Sequence, residues 1–279
     1  MRRYAGERFF YRLGASEHRD KFVLKGAMLL LVWGETVARP TRDIDFTGLG
    51  SSQAEDLGSV IRDICSIPCP EDGITFDCED MEIRVIRPED KYDGLQARFK
   101  AILDGARIPM QMDVGFWDTI NPPPSDAEYP VLLDGPKPRI WIYPRESVIA
   151  EKCNALATHR GRYNRHKDLY DIYGFASHFP FDGRCLINAM NATFEQRGTM
   201  VTKNLPAGLM PEFYADAVRG ALWREYLDRD RLLGAPRDFG KTGELILSFL
   251  VEPWNALARA DTFAGIWAEG GPWHIDGES

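Results

Sequence analysis

Phe22-Val23-Leu24-Lys25-Gly26-Ala27-Met28-Leu29-Leu30-Leu31-Val32-Trp33-Gly34 and, after a short break, Arg39-Pro40-Thr41-Arg42-Asp43-Ile44-Asp45-Phe46 spell out a strand, a helix and a second strand. Phe22-Val23-Leu24 is a short apolar run of strand type. From Gly26 onward, residues 27–33 are apolar on every side, the pattern of a buried helix, and Gly34 closes it. Asp43-Ile44-Asp45-Phe46 alternates polar and apolar, the period of a strand with one buried face. Asp43 and Asp45, one residue apart on such a strand, project to the same side and can reach a common cation. Magnesium prefers oxygen ligands, keeps several waters and is completed by substrate phosphates. A glycine at the start of a buried helix offers free backbone N–H groups to phosphate oxygens.

Outward from this stretch, residues 53–65 suit an amphipathic helix. Residues 95–103 and 106–116 flank Asp104-Gly105, the dipeptide that a two-residue hairpin favours because both central residues take positive φ. In the second arm Met110, Met112 and Val114 share one face, and Gln111, Asp113 and Gly115 share the other. Asp113 therefore stands as a third carboxylate on a neighbouring strand, completing a set able to hold two metal ions. Pro122-Pro123-Pro124 interrupts the sheet, and residues 139–143 supply one more short strand.

From Pro144 the pattern turns helical, since proline suits a first helical turn, and Gly161 marks the expected end of this helix. A second helix is expected over residues 165–178, with more following to about residue 258 and a frayed tail from Gly270. The reading is an α/β (α+β) chain in two parts: residues 1–143 carry a mixed sheet, and residues 144–279 form a helical half.

Within the first helix of that half, Val148, Ile149, Cys153 and Leu156 form an apolar stripe that also contains Lys152. A lysine in a dry core is costly, but acceptable where its stem packs and its ammonium emerges into a cleft; the alternative reading is a lysine that snorkels to solvent. Asp168 near the start of the next helix interacts favourably with the helix dipole. Between the two helices lie His159, Arg160, Arg162, Arg165, His166 and Lys167, a local basic patch that reads equally as a solvated loop or as an anion-binding surface.

Composition sets outer limits. With 34 Lys and Arg against 42 Asp and Glu the formal charge is −8, which disfavours an indiscriminate nucleic-acid binder but not one with a local basic patch. No stretch approaches the ~18 uninterrupted apolar residues of a membrane span, and the charged N-terminus leads into no apolar signal core, so a cytoplasmic location is expected. Five cysteines with no paired CxxC spacing suit reduced thiols rather than a disulfide framework or a zinc site.

Lys25-Gly26-Ala27 through Asp43-Ile44-Asp45-Phe46 resembles the first motif of the polymerase-beta-like nucleotidyltransferase superfamily, and within it the AbiEii/AbiGii toxin family. Gln111-Met112-Asp113-Val114-Gly115-Phe116, the segment around Ala150-Glu151-Lys152, and Lys167-Asp168-Leu169-Tyr170-Asp171 agree with the same family. The resemblance spans roughly residues 22–175. It implies a nucleotidyltransferase fold with Asp43, Asp45 and Asp113 on Mg²⁺ or Mn²⁺, and Lys25, Gly26, Ala27 and Lys152 on a nucleoside triphosphate. It further implies that the helical half contributes Lys152 and Asp168 to the cleft, Asp168 positioning substrate or the lysine, while Asp171 is structural. The implied acceptor is the 3′ end of a tRNA, contacted by Arg160, Arg162, Arg165 and Lys167, with a block of translation and a cognate antitoxin as partner. One departure is Ala27, where the family usually has Ser or Gly, so a phosphate-binding hydroxyl is missing. Two other readings stay open: transfer to a small molecule or a protein hydroxyl, and a catalytically degenerate binding module.

Overall fold

The computed structural model describes residues 1–34, 38–50, 53–69, 72–86, 94–116, 120–158 and 165–275. Contacts divide the chain into two compact units, Met1–Thr119 with Pro123–Tyr143, and Ile120–Pro122 with Pro144–Ser279.

In the first unit, α1 (Arg2–Ala15) precedes β1 (Phe22–Lys25), α2 (Gly26–Leu29), β2 (Ile44–Gly48), α3 (Ala54–Ser66), β3 (Ile74–Ile86), β4 (Gly94–Leu103), β5 (Ala106–Phe116), β6 (Ser125–Glu128) and β7 (Arg139–Ile142). The strands form one mixed sheet in the order β3-β4-β5-β2-β1-β7-β6. β2 runs parallel to β5 and antiparallel to β1, and β1 runs parallel to β7.

The apolar run after Gly26 departs from the expected single helix. Only Gly26–Leu29 is α-helical; Leu30–Trp33 tightens to a 3₁₀ turn that ends at Gly34, φ 122°. Leu31, Val32 and Trp33 are half-buried rather than buried. Periodicity alone does not separate one long buried helix from a short one that tightens at its end.

Neither α1 nor β3 is announced by the sequence patterns above. α1 brings Phe10 onto Phe46 and Tyr129, and Phe9 onto Phe76 and Phe99, covering the apolar face of the sheet. Each fully buried phenylalanine adds about 1.5–3 kcal/mol. The helix also buries Arg12, whose Nη1 donates to Asp72 Oδ2 at 2.6 Å, Nη2 to the Ile74 carbonyl at 3.0 Å and Nε to the Ile67 carbonyl at 3.0 Å. A buried guanidinium is tolerable only with its donors satisfied in this way.

The hairpin forms at the residues its sequence demands. Asp104 and Gly105 take φ 47° and 76°, and Leu103 pairs Ala106. A Cβ at Gly105 would meet nothing within 4 Å among the described residues. Gly105→Ala therefore carries only the left-handed backbone cost, an expected loss of about 1–2 kcal/mol in denaturant unfolding. A loss much beyond that would mean that the side chain meets something at this turn.

The second unit contains α4 (Arg145–Thr158), α5 (His166–His178), β8 (Phe181–Asp182), α6 (Gly183–Gln196), α7 (Pro211–Ala215), α8 (Ala217–Asp230), α9 (Phe239–Arg259), β9 (Ile266–Trp267) and β10 (Trp273–His274). Asp182, Asp216 and Asp238 cap α6, α8 and α9 by accepting from backbone N–H groups of the first turn. Gly161, expected to end the helix from Pro144, lies outside the described residues; α4 reaches Thr158.

Of the tail from Gly270, expected to fray, residues 270–275 are described, and they are held in place. β10 pairs β9, Trp273 stacks on Phe249 at 5.8 Å and its Nε1 donates to the Phe249 carbonyl at 2.9 Å. Trp267 is fully buried and donates to the Ala176 carbonyl at 2.8 Å. A glycine-rich sequence lacks periodicity but can still be tied down by tryptophan anchors. All five cysteines are free thiols. Among the described residues no helix is long and apolar enough to cross a membrane.

Candidate active site

β2 and β5 lie side by side with Asp45 opposite Asp113, and Ile44 opposite Met112. Ile44 and Met112 are buried, so the two aspartates share the other face of the sheet. Parallel pairing in register is what brings together carboxylates that are far apart along the chain. Asp43 is one residue outside β2, correcting the expectation that the strand carries both acids. Its backbone N–H donates to Thr41 Oγ1 at 3.4 Å, and the Thr41 hydroxyl donates to the Asp43 carbonyl at 3.3 Å.

Gly26 follows β1, whose last residue Lys25 stands opposite Asp45. A Cβ on Gly26 would lie 2.0 Å from Asp45 Oδ2 and 2.7 Å from Asp45 Cβ and Cγ, and the residue takes φ +69°. Glycine is needed twice over, for backbone conformation and for close approach. Ala27 is buried and begins the apolar packing of α2, a place where a hydroxyl would need a partner.

Asp113 is oriented by two amides: Gln96 Nε2 donates to its Oδ1 at 3.0 Å and Gln111 Nε2 at 3.3 Å. Both bonds fall on the same oxygen, leaving Oδ2 without a hydrogen bond among the described residues. Gln96 escaped the sequence reading, although counting back from the Asp104-Gly105 turn pairs it with Asp113. The hard carboxylate oxygens suit magnesium in kind. Among the described residues, no three His, Cys, Asp or Glu side chains group closely enough to hold a metal ion.

In the helical unit Lys152, on α4, is held between two acids of α5. Its Nζ donates to Asp168 Oδ1 at 3.0 Å and to Asp171 Oδ2 at 2.7 Å, and Arg165 Nε meets Asp168 Oδ2 at 3.0 Å. Asp168 and Asp171, three apart on one helix face, make a two-pronged acceptor. The side chains of Lys152, Asp168 and Asp171 are 13%, 5% and 2% exposed, so this is a buried network. Burial pushes the Asp168 carboxyl up, but Lys152 and Arg165 outweigh it and hold the group below the usual carboxylate range. Asp171 is thus as close a partner of the lysine as Asp168.

Arg165 and Lys167 border a pocket of about 340 Å³ shared with His166 and with Leu222, Glu225, Tyr226 and Arg229 of α8. His166 stacks on Tyr226 at 5.8 Å, and Arg229 sits over the same ring at 5.5 Å. Burial, then the nearby Arg229, push the His166 imidazole below its ordinary value, with Glu225 opposing. Sequence reasoning missed the α8 residues because nothing local announces that they adjoin α5. His159, Arg160 and Arg162 lie outside the described residues.

A mixed sheet with acids paired across adjacent strands, and a glycine-started helix pressed against one of them, is the framework of the nucleotidyltransferases. Two solved structures share the fold with TM-scores of 0.52: a chain from H. pylori provisionally described as a nucleotidyltransferase, 15% identical, covering 92% of this chain and 94% of that one, and JHP933 from Helicobacter pylori, 14% identical, covering 93% and 94%. The profile of the family described as nucleotidyl transferase AbiEii toxin, of type IV toxin–antitoxin systems, matches residues 8–244, and the chain belongs to this family. It is accordingly a nucleotidyltransferase, and membership implies a nucleoside triphosphate substrate and an antitoxin partner. Among proteins with curated functions, none matches this sequence.

Proposed function

We propose that this nucleotidyltransferase moves a nucleotide onto the 3′ end of a tRNA in the cytoplasm and so blocks translation. The observation that carries the reading is the Asp45–Asp113 pair in register, with Gly26 seated against Asp45. Asp43, Asp45 and Asp113 would hold Mg²⁺ or Mn²⁺, which when bound neutralises phosphate charge and acidifies a coordinated hydroxyl. Gln96 and Gln111 keep Asp113 aimed, and the backbone N–H groups at Gly26 and Ala27, next to Lys25, receive phosphate oxygens. Lys152 is the cation for the triphosphate, with Asp168 and Asp171 setting its position.

In the reaction, the acceptor 3′ oxygen bonds to the α-phosphorus, the bond from that phosphorus to the bridging oxygen breaks, and pyrophosphate leaves. The acceptor proton passes to solvent or to a carboxylate. Arg165 and Lys167, with Arg229 beside them, give the acidic chain a cationic surface for the acceptor. The antitoxin acts on this chain or on its product.

The test is a transfer assay with magnesium, total tRNA and each of the four labelled nucleoside triphosphates. Label on tRNA that is absent with Asp45→Ala is the expected result. Label on a small molecule or protein alone, the outcome that the −8 charge favours, would overturn the tRNA acceptor. No transfer with any triphosphate would favour a degenerate binding module. For an RNA acceptor, binding should weaken steeply with salt, by roughly 0.7–0.9 log units per log unit of salt for each phosphate contacted.

A further inference from the structure

The first unit contains a pocket that borders α2 and the segment leading into Asp43. It has a volume of about 320 Å³ and is lined by Arg2, Arg3, Ala27, Met28, Leu31, residues 38–42, Ile44 and Met110. Its position follows from strand register. Ile44 pairs Met112, and Met110 lies two residues before Met112, so Ile44 and Met110 occupy the sheet face opposite Asp45 and Asp113. This pocket and the carboxylates are therefore on opposite sides of the same two strands.

Its chemistry is divided. The floor is apolar: Ala27, Met28, Ile44 and Met110 are all buried, and Leu31 is half-buried. The rim carries Arg2, Arg3, Arg39 and Arg42, and among the described residues no acid lines it. Glu7 accepts from Arg3 Nε at 3.0 Å, which orients that guanidinium without placing an acid in the pocket. Arginine forks match phosphate oxygens in pairs, and methionine sulfur and aliphatic carbon suit the face of a flat ring. The volume is at the small end of ligand sites, ~300–1,000 Å³. In a chain of charge −8, four arginines over an apolar floor are a specific investment in binding an anion with an apolar body.

We propose that this pocket is a second ligand site that takes a nucleoside monophosphate, the base on the methionine floor and the phosphate on the arginine rim. The rim segment, residues 38–42, runs directly into Asp43, and Thr41 is hydrogen-bonded to Asp43. A bound nucleotide therefore contacts the segment that leads into the first of the acidic residues. The site stands on its own residues, whether or not the acceptor proposed above is the right one.

The test is calorimetric titration of the full chain with AMP in EDTA, so that no metal-dependent binding at the carboxylate face contributes. AMP should bind at one site, with inorganic phosphate and adenosine each at least tenfold weaker. Arg42→Glu and, separately, the double variant Arg2→Ala/Arg3→Ala should each weaken AMP at least tenfold, with circular dichroism unchanged, while Asp45→Ala leaves it intact. Loss of AMP binding in Asp45→Ala but not in the arginine variants would overturn the proposal, because the nucleotide would then sit on the carboxylate face. Phosphate binding as tightly as AMP, a short oligoribonucleotide binding in its place, or no binding to the wild type would overturn it as well.

Discussion

Gly26→Ala is expected to lower nucleotide transfer at least ~100-fold, the effect of misplacing a reacting group by about 1 Å. The added Cβ would fall 2.0 Å from Asp45 Oδ2 and 2.7 Å from its Cβ and Cγ, distances at which something must move. The colliding atoms include the carboxylate proposed to hold the metal, and Asp45 cannot yield by a free rotation because its own Cβ is among them. Alanine also pays about 1–2 kcal/mol for the left-handed conformation that φ +69° demands. Gly50→Ala separates the two causes: Gly50 takes φ +116°, yet a Cβ there meets nothing within 4 Å among the described residues. That control should lose stability and keep transfer. The readout is kcat/KM for the labelled nucleotide beside denaturant unfolding of each variant. Normal transfer by Gly26→Ala would mean that Asp45 has room to shift without consequence, against the geometry of this corner.

Lys152→Met is expected to destabilise the protein by about 3–5 kcal/mol, since removing one partner of a buried ion network strands the others. Asp168 and Asp171 are almost completely buried and both receive the lysine ammonium. Methionine preserves much of the stem packing, so the loss reads the charge rather than a cavity. The pH dependence carries the sign of the effect. Asp168 titrates below its unfolded value, so its contribution is fully present above that value and is lost as pH falls through the depressed folded one. In Lys152→Met the strongest of the charges opposing burial is gone, leaving Arg165 and then Lys167 to hold the carboxyl down, and acid unfolding should move to higher pH. Lys152→Arg keeps the charge but not the compact ammonium that fits between two acids, and should recover stability better than transfer. Unfolding curves as a function of pH for the three proteins check this. A loss below about 1 kcal/mol, as for exposed pairs, would mean that solvent reaches the network.

Much of this protein can be read from local pattern because several of its elements follow from local physical chemistry. Asp104-Gly105 dictates the hairpin and, through the two-residue turn, the pairing of Gln96 with Asp113. Alternation put Asp113 on the face away from Met112 and Val114, and the apolar stripe of α4 marked Lys152 as a lysine whose ammonium has to leave the dry core. The order of motifs was sufficient for the family, which the profile over residues 8–244 shows. Other features have no local signature. α1 and β3 are recognisable only by what they cover, since neither shows a clean period, and β2 begins one residue after Asp43 because sheet pairing starts at Ile44.

Residue types, and the faces they take on their own elements, follow from local pattern, because side-chain direction follows from the periods of strand and helix. Which of these faces meet is set by long-range packing. Parallel pairing of β2 with β5 set Asp45 beside Asp113, the packing of α4 on α5 gave Lys152 both Asp168 and Asp171, and the fold of the first unit brought Arg2 and Arg3 to the pocket rimmed by Arg39 and Arg42. Such juxtapositions depend on contacts between residues far apart in the chain, whose closure no local propensity encodes.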